Sequence, residues 1–481
     1  MAFAFPDLKR PQYPSSPEVL LSALAWSVIP RVPEYTATGL IYQRKESRAK
    51  RGVVIEQTMP RDKGLEDFRA SLQSNGWATA AAGDLPRVVA EAAADAMLGV
   101  KPPKGVGYAS SAIGLAGALL QDPVGSLATK NPPNFASLLN TMYALGGGVD
   151  EQTAASRWFD VARHYSATGK LKALEDALAG TTLKRFLPEG AWPPTAPQVA
   201  RASVPEPLPS WWQEDVASAG VGTPFSWFHS SWNRLCSREW YKILPPRRWA
   251  GWAVCVLRNA IGFTFLWEAN FFLELALGIA DHERDPATVA RWALIPKRPL
   301  VPYQRGGIAQ MDVMPSIRRL LTQGLTCRKA IIEAASKLSE EPNNLASLVE
   351  ALRATNPKSI NAALGGGGDK GGLPNLIETV RYSLLARSAP DAPDHHALLK
   401  VVSRNYTHVA PAPEWIVVMS AMAATGPSDV VRLGDVQRSL EDIGFKPRID
   451  FLLGELERAG LCASASDGDE GIEINLGFGR K

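Results

Sequence analysis

Cysteine and histidine are scarce in this chain, which limits the chemistry that it can carry. Its 481 residues include 4 cysteines and 6 histidines. No C-x-x-C pair and no H-E-x-x-H motif occurs among them, which argues against a zinc ribbon, a disulfide framework and a zinc protease site. The cysteines are Cys236, Cys255, Cys327 and Cys462. We expect them to be buried free thiols, and we expect neither a metal site nor a cofactor.

Sequence motifs that identify a class of enzyme are also missing. The sequence has no G-x-S-x-G motif and no Walker motif, and no dinucleotide-binding fingerprint stands out. A glycine-rich run at 365–372 precedes a helix, but Lys370 is followed by Gly371 instead of Ser or Thr. This order favours a flexible linker over a phosphate-binding loop. The sequence therefore favours a non-catalytic role.

Nothing at the N-terminus has the order of a signal peptide, so we expect a cytoplasmic protein. One long apolar run, 249–280, has the length of a membrane span. Arg258, Glu268 and Glu274 interrupt it, and charges near a bilayer centre are costly. We therefore expect a helix buried in protein and no membrane contact. A pore or membrane anchor is the alternative.

Length and composition bound the architecture. With 46% hydrophobic and 21% charged residues, the chain is typical of globular proteins, and its length suggests two to three domains. We expect a mainly α, multi-domain helical protein with a small N-terminal β-hairpin and a C-terminal winged helix. The expected divisions are an N-terminal helical domain at 1–187, a proline-rich linker at 188–209, a Trp-rich helical domain at 210–390 and the C-terminal module at 409–481.

The N-terminal domain contains a concentrated basic run between two short predicted strands, 39–42 and 52–57. At the tip of a hairpin, this run is a flexible cationic finger that contacts phosphate backbones without reading sequence. A solvated loop is the alternative. Its basic residues are Arg44, Lys45, Arg48, Lys50 and Arg51.

Helical spacing predicts most of the remaining elements. Residues 65–178 are predicted to form a helical region that is broken at 101–103 and 131–133, each a residue followed by two prolines. Residues 314–338 are predicted to form two helical pieces that meet at 323–326. Further helices are predicted within 345–364 and at 376–385.

Tryptophan is concentrated in the third quarter of the chain, where ten of the 14 tryptophans lie between Trp192 and Trp292. Interleaved arginines give the composition of a groove that stacks single-stranded bases, whereas the helical spacing of Trp249 and Trp252 indicates a core. Arg247 and Arg248 stand at a helix start, where positive charge opposes the helix dipole. We therefore include both among the candidate nucleic-acid contacts.

The last residues, 409–481, carry the pattern of a small helical module. Val436, Leu440 and Ile443 share one face of a helix that Gly444 ends. A second helix starts at Lys446-Pro447 and is followed by a glycine cap. Its buried stripe is Ile449, Leu452, Leu453 and Leu456. An earlier amphipathic helix contains Trp415, Val418, Met419 and Met422.

Two short strands, 461–465 and 472–476, are predicted to close this module as a hairpin. Three helices followed by a hairpin resemble the winged helix-turn-helix family, over residues 409–481. The resemblance implies a winged-helix fold with the hairpin as its wing. An ordinary helical subdomain with a capping hairpin is the alternative.

The charge of the module argues against DNA as its partner. Residues 431–474 contain five basic and ten acidic residues, a net charge of −5, whereas the whole chain carries +4. Because cations supply most of the affinity for phosphates, we expect this module to bind a protein. The expected contact is the outer face of its second helix, with Phe451, Glu455 and Arg458.

These features favour a non-catalytic subunit of an intracellular nucleic-acid-processing assembly. Its basic surfaces bind DNA or RNA backbone, and its acidic module binds a protein partner. A bacterial defence or restriction accessory protein fits this description. The alternative is an enzyme of another class, with a pocket in the Trp-rich domain near Arg258, Glu268 and Glu274.

Overall fold

The protein, seen in a computed structural model, is built mainly of α-helices, as expected. Within the described residues, the chain forms fifteen helices and ten short strands. The described residues are 3–6, 8–10, 17–28, 43–49, 52–58, 97–100, 109–112, 114–115, 135–147, 152–167, 172, 208–219, 222–302, 311–355, 358–365, 373–386, 388–389, 392–403, 406–462 and 471–477.

The N-terminal elements are three helices and two antiparallel hairpins. The helices are α1 (Glu18–Val28), α2 (Phe135–Gly147) and α3 (Ala154–Ser166). The strands are β1 (Gln43–Ala49), β2 (Gly52–Thr58), β3 (Met97–Val100) and β4 (Ala109–Ala112). A capping box starts α3, in which the Thr153 hydroxyl accepts from the Ser156 amide at 3.1 Å and the Ser156 hydroxyl accepts from the Thr153 amide at 2.8 Å.

The basic hairpin forms, but the basic run does not lie at its tip as we expected. Strand β1 begins at Gln43, so Arg44, Lys45 and Arg48 belong to the strand itself. Arg48 pairs with Val53 in the backbone register. Strand β2 contains several β-branched residues, which favour the extended conformation. Because β2 is seven residues long, the polar residues opposite it pair with it and belong to a strand of the same length. The first strand expected, 39–42, lies outside the described residues.

Strands β3 and β4 correct a second expectation, because they lie in a region that was predicted to be helical, on either side of its predicted break at 101–103. They pair antiparallel, with Met97 opposite Ala112 and Val100 opposite Ala109. The eight residues between them in the sequence include two prolines and two glycines. Such residues favour a turn over a continued helix.

A 35-residue helix, α7, is the longest element of the described structure, and its apolar character extends around its whole circumference. A helix of this kind is stable only when it is buried on all sides. It confirms the predicted buried helix. The neighbouring elements are α4 (Trp212–Ala219), α5 (Pro224–Leu235), α6 (Arg238–Ile243), α7 itself (Pro246–Ala280) and α8 (Pro286–Leu294).

Four further helices follow, and the first is continuous where two pieces had been expected. They are α9 (Met314–Ala335), α10 (Leu345–Thr355), α11 (Lys358–Leu364) and α12 (Leu373–Leu384). Gly324 does not break α9. It lets α9 approach α7 closely, because a Cβ atom at Gly324 would lie 2.3 Å from the carbonyl oxygen of Ala269.

The C-terminal part combines three helices with short antiparallel strand pairs. The strand pairs are β5 (Ser388–Ala389) with β6 (Ala392–Pro393), β7 (Leu399–Ser403) with β8 (Tyr406–Val409), and β9 (Val431–Arg432) with β10 (Glu473–Ile474). The helices are α13 (Pro413–Ala423), α14 (Leu433–Asp442) and α15 (Ile449–Arg458).

The buried stripe predicted for α14 is confirmed, since Val436, Leu440 and Ile443 are all buried. Gly444 and Gly460 have φ values of 83° and 71°, the left-handed conformation that ends a helix. The predicted hairpin differs, because β10 pairs with β9, a strand that was not expected. Between the two segments that were predicted to pair, 461–465 and 472–476, the Asn475 amide donates to the Leu461 carbonyl at 2.7 Å. Residues 463–470 lie outside the described residues.

One hydrophobic cluster includes buried residues from Phe3 to Ile474. Helix α7 lies within it and contacts α1, α5 and each helix from α8 to α13. The Trp415 indole donates to Asn259 at 3.0 Å, which joins α13 to α7. The divisions at 187, 210, 390 and 409 stay a prediction, and only residues 208–209 of the predicted linker are described.

Helix α7 also has the length and apolar composition of a membrane span, the only such helix among the described residues. Of its most apolar window, 83% is buried inside the protein.

Candidate nucleic-acid interface

The structure describes three of the five basic residues of the N-terminal hairpin. Arg44, Lys45 and Arg48 lie in β1, of which the backbone is described. Lys50 and Arg51 lie outside the described residues. The structure thus supports a hairpin at this position and leaves the role of its side chains a prediction.

Arg247 and Arg248 lie on the surface, in the first turn of α7. Positive charge at a helix N-terminus is unfavourable. Two contacts offset this cost for Arg248: its guanidinium lies 3.7 Å from the Glu414 carboxylate and 5.4 Å from the centre of the Trp252 ring. Both arginine side chains remain largely exposed, as a phosphate contact requires.

The structure brings helix α3 beside this helix start. The rings of His164 and Tyr241 lie 4.6 Å apart, and the Tyr165 hydroxyl donates to the Leu244 carbonyl at 2.9 Å. Arg157 and Asp160 also act electrostatically on the buried Cys236 thiol, whose pKa is raised chiefly by burial. The outer face of α3 is therefore continuous with α6 and the start of α7.

These elements together form a surface that we call the basic surface. Its six basic side chains are opposed by only two acidic ones on the same three segments, Asp160 and Glu239. The pKa of Asp160 is raised by burial, although Arg163 and Arg157 lower it. The basic residues are Arg157, Arg163, Arg238, Lys242, Arg247 and Arg248.

Sequence reasoning missed the contribution of α3 to this surface. Its apolar stripe includes Ala155, Trp158 and Phe159, all buried. Arg157 and Arg163 fall outside that stripe at helical spacing, so the pattern marks them as surface cations. The packing of α3 against α6 and the start of α7 could not be read from the sequence, because more than seventy residues separate these helices.

Most tryptophans of the cluster are placed in the core, where they cannot stack on bases. Eight of the ten in the cluster are fully or almost fully buried, so they cannot meet a base. Their indole groups bond inside the protein, as when Trp232 donates to the Ala154 carbonyl at 2.9 Å. The core interpretation is therefore correct for these eight: Trp211, Trp212, Trp227, Trp232, Trp240, Trp249, Trp252 and Trp267.

The predicted partner face on α15 is less exposed than expected. Glu455 is only 6% exposed, and its carboxylate accepts from Arg458 at 2.9 Å. Phe451 is half-buried, with its ring 6.5 Å from that of Phe445. The helix packs with Leu452, Glu455 and Leu456 inward, so the buried face is rotated toward Glu455 relative to the predicted stripe. Of the three predicted contacts, Arg458 alone is exposed.

The charged residues of α7 do not line the pocket that an enzyme would need. All three guanidinium nitrogens of Arg258 are bonded, to Asp394 and to the carbonyls of Ser383 and Leu385. Glu268 lies 3.0 Å from Arg328 and 3.6 Å from Arg10. These groups are buried ion pairs that join α7 to its neighbours, which is a structural use.

Metal and thiol chemistry find no support among the described residues. There, no group of three His, Cys, Asp or Glu side chains is arranged to hold a metal ion. All four cysteines are free, and Cys236, Cys255 and Cys327 are buried, as expected. Cys462 is half-buried. Burial raises the pKa of each thiol, which keeps it in the less reactive protonated form.

Comparison with known proteins gives no relative. No family model, curated protein or solved structure matches the chain. Function must therefore be inferred from the residues themselves.

Two clefts adjoin α14, and neither is lined by Arg258, Glu268 or Glu274. One is open, between the exposed face of α14 and Gly471. The other lies between α5 and α14 and has a volume of about 360 Å³. Both are polar, and both include Asp435 and Arg438.

Proposed function

We propose that this protein is a non-catalytic subunit of an intracellular nucleic-acid-processing assembly. It binds the backbone of DNA or RNA through basic surfaces and a protein partner through its acidic C-terminal module. The observation that carries the proposal is the basic surface, where six exposed or half-exposed cations lie on three helix segments, α3, α6 and the start of α7, that contact one another. A role as an accessory protein of bacterial defence or restriction is consistent with it.

The basic surface suits phosphate binding without sequence readout. Its arginines lie on the outer faces of three helices, and guanidinium groups match the geometry of phosphate oxygens. Contacts to the backbone alone give affinity that depends strongly on salt and weakly on sequence.

For the C-terminal residues we propose a winged helix, as the resemblance implies. The order of elements is helix α13, strand β9, helices α14 and α15, and strand β10. The three helices contact one another, and β9 pairs with β10. These features support the module, and residues 463–470, which include the predicted tip of the wing, lie outside the described residues.

The exposed part of α15 is the proposed docking face for a protein partner. Glu457 and Arg458 are exposed, and Phe451 contributes a half-buried aromatic edge. Aromatic and arginine side chains are those that most often anchor protein interfaces. The net charge of −5 on residues 431–474 favours a basic partner surface.

The nucleic-acid proposal is tested by fluorescence anisotropy with labelled duplex DNA, single-stranded DNA and RNA over a range of salt concentrations. We expect binding at low salt that weakens as salt rises. Replacing Arg247 and Arg248 with Ala should reduce the slope of log K against log salt by about 2, since each phosphate contact contributes about 0.9.

Arg318 and Arg319 provide the matched control, because they are an adjacent, exposed arginine pair on α9, outside the basic surface. Their replacement with Ala removes the same charge and should leave the slope unchanged. A separate variant replaces the five basic residues of the hairpin with Ala. The proposal fails if no nucleic acid binds at low salt, or if the two arginine-pair variants behave alike.

The partner proposal is tested by purifying the complex from its native source and identifying its components by mass spectrometry. We expect Glu457→Lys to release a component that the unmodified chain retains. A component that stays bound to both Glu457→Lys and Arg458→Glu would place the contact elsewhere.

A further inference from the structure

The cleft between α5 and α14 is an open, polar cleft where the helices that precede the C-terminal module contact that module. Its volume of about 360 Å³ lies in the range of small-molecule sites, roughly 300 to 1,000 Å³. Helix α5 contributes Ser231 and Arg234, and α14 contributes Asp435, Arg438, Ser439 and Asp442.

The cleft contains two arginines, and Arg234 has more N–H groups left without a hydrogen-bond partner among the described residues than Arg438 has. It is half-buried, and one nitrogen, Nη1, donates to the Met422 carbonyl. Its other N–H groups have no hydrogen-bond partner among the described residues. Arg438, by contrast, is already paired with Asp435 at 2.5 Å.

Asp442 is the matching anionic group. Its carboxylate is held close to the chain at Gly222, where an added Cβ atom would lie 2.0 Å from Oδ1. Arg234 acts on it electrostatically, but no ion pair within 4 Å joins these two described side chains. Burial and Glu441 raise the pKa of Asp442 to about 6, although the Gly222 amide, Arg234 and Arg438 lower it. The neighbouring protein groups therefore offset only part of the cost of burying this negative charge.

Ser231 also lines the cleft, but it is only 1% exposed and its Oγ atom is closed off from the cleft space, so we assign it no ligand contact. The Ser439 hydroxyl, which accepts from the Trp227 indole at 3.1 Å, still has a proton to donate.

The charges decide which ligand fits. A simple anion would be attracted by Arg234 and repelled by Asp442, and a simple cation would meet the reverse. A molecule that carries a carboxylate and an ammonium group satisfies both residues at once. Hydrogen bonds in which both groups are charged are stronger than hydrogen bonds between neutral groups.

We propose that this cleft binds a free α-amino acid, with its carboxylate on Arg234 and its ammonium group on Asp442. Because the two charged residues lie on α5 and α14, the ligand bridges helix α5 and the C-terminal module. Binding therefore stabilises the folded protein by mass action.

The test is a thermal-unfolding screen of the full chain with each of the common free amino acids, at about 10 mM to reach weak sites. We expect at least one to raise Tm, and isothermal titration calorimetry to give a saturable heat for it. Its N-acetyl derivative lacks the ammonium group, and its amide derivative lacks the carboxylate. Each should bind at least about tenfold more weakly, as expected for loss of one charged contact.

Two variants locate the site. Asp442→Asn keeps the shape of the side chain, and Arg234→Gln keeps a donor without charge. Both should weaken binding of that amino acid at least about tenfold, whereas Arg318→Ala should not. Each ligand-induced shift is measured against the variant's own Tm, so a loss of stability is not mistaken for a loss of binding.

Three results would overturn the proposal: no amino acid changes Tm or gives a heat, a derivative that lacks one charge binds as well as its parent, or both cleft variants bind normally. Inorganic phosphate is included as a probe. If no amino acid binds, and phosphate binds in a way that Arg234→Gln abolishes, the cleft is an anion site and the assignment is wrong.

Discussion

Arg258 and Asp394 form a buried ion pair in which one guanidinium nitrogen, Nη1, contacts both carboxylate oxygens, at 2.7 and 3.0 Å. The arginine lies in α7, and the aspartate follows β6. The same guanidinium donates to the carbonyls of Ser383 and Leu385 at 2.6 and 2.7 Å, where α12 ends. A single side chain thus fixes the path of the chain between α12 and β7.

Removing one member of this pair should destabilise the protein strongly. We expect Asp394→Leu to cost about 3–5 kcal/mol, because it leaves a buried, unpaired guanidinium. The double variant Arg258→Met, Asp394→Leu should lose less than the sum of the two single variants. Calorimetric unfolding of all four proteins measures this coupling, and strictly additive losses would argue against it.

Two glycines offer a paired test of helix packing. Gly324→Ala places a Cβ atom against the Ala269 carbonyl and should destabilise the protein by about 1–3 kcal/mol. Gly454 has nothing within 4 Å of the equivalent position. Gly454→Ala should therefore be neutral or stabilise by about 0.5–1 kcal/mol, since alanine is the better helix former. A stable Gly324→Ala protein would show that α9 and α7 are farther apart.

Asp442 should make folding less favourable as pH rises. Its pKa is raised from 3.8 to about 6, so the folded state holds this proton more tightly than the unfolded chain does. Stability from this group therefore falls between about pH 4 and pH 6 and is constant above. Asp442→Asn removes the titration, so its Tm should rise relative to the unmodified protein across that interval. A constant Tm difference from pH 4 to pH 7 would contradict this.

His396 should have the opposite pH dependence. Burial lowers its pKa from 6.5 to about 4, with Asp394 raising it and Arg258 lowering it. The unfolded chain binds the proton first, so stability from this group is lost as pH falls from about 6.5 to about 4. The full loss is about 3 kcal/mol. In His396→Gln, Tm should decline less over that interval. An equal decline in both proteins would assign the acid sensitivity to other groups.

Helical spacing predicted the elements whose environment is set by neighbours on the same helix. It located the buried face of α14 and the burial of Trp249 and Trp252. It was wrong about Glu455, because the pattern treats a carboxylate as exposed. Arg458, one turn later, pairs with Glu455 and lets it turn inward.

The candidate sites depend on residues that are distant in sequence. The basic surface joins α3 to α6 and α7, and the amino-acid cleft joins α5 to α14. Periodicity marks which side chains face outward, but only tertiary packing decides which outward faces meet. For the same reason, sequence alone grouped Arg258, Glu268 and Glu274 into one pocket, although the first two have separate buried partners.

The long central helix sets the order of events during synthesis of the protein. Most of the helices that cover α7, from α8 to α13, follow it in the chain. The ribosome therefore releases a 35-residue apolar helix about 10 to 30 s before its last partner has been made. During that interval the nascent chain presents a segment that chaperones and the membrane-insertion machinery both recognise. Among the preceding helices, α1 and α5 contact α7, so their early packing against it would limit this exposure.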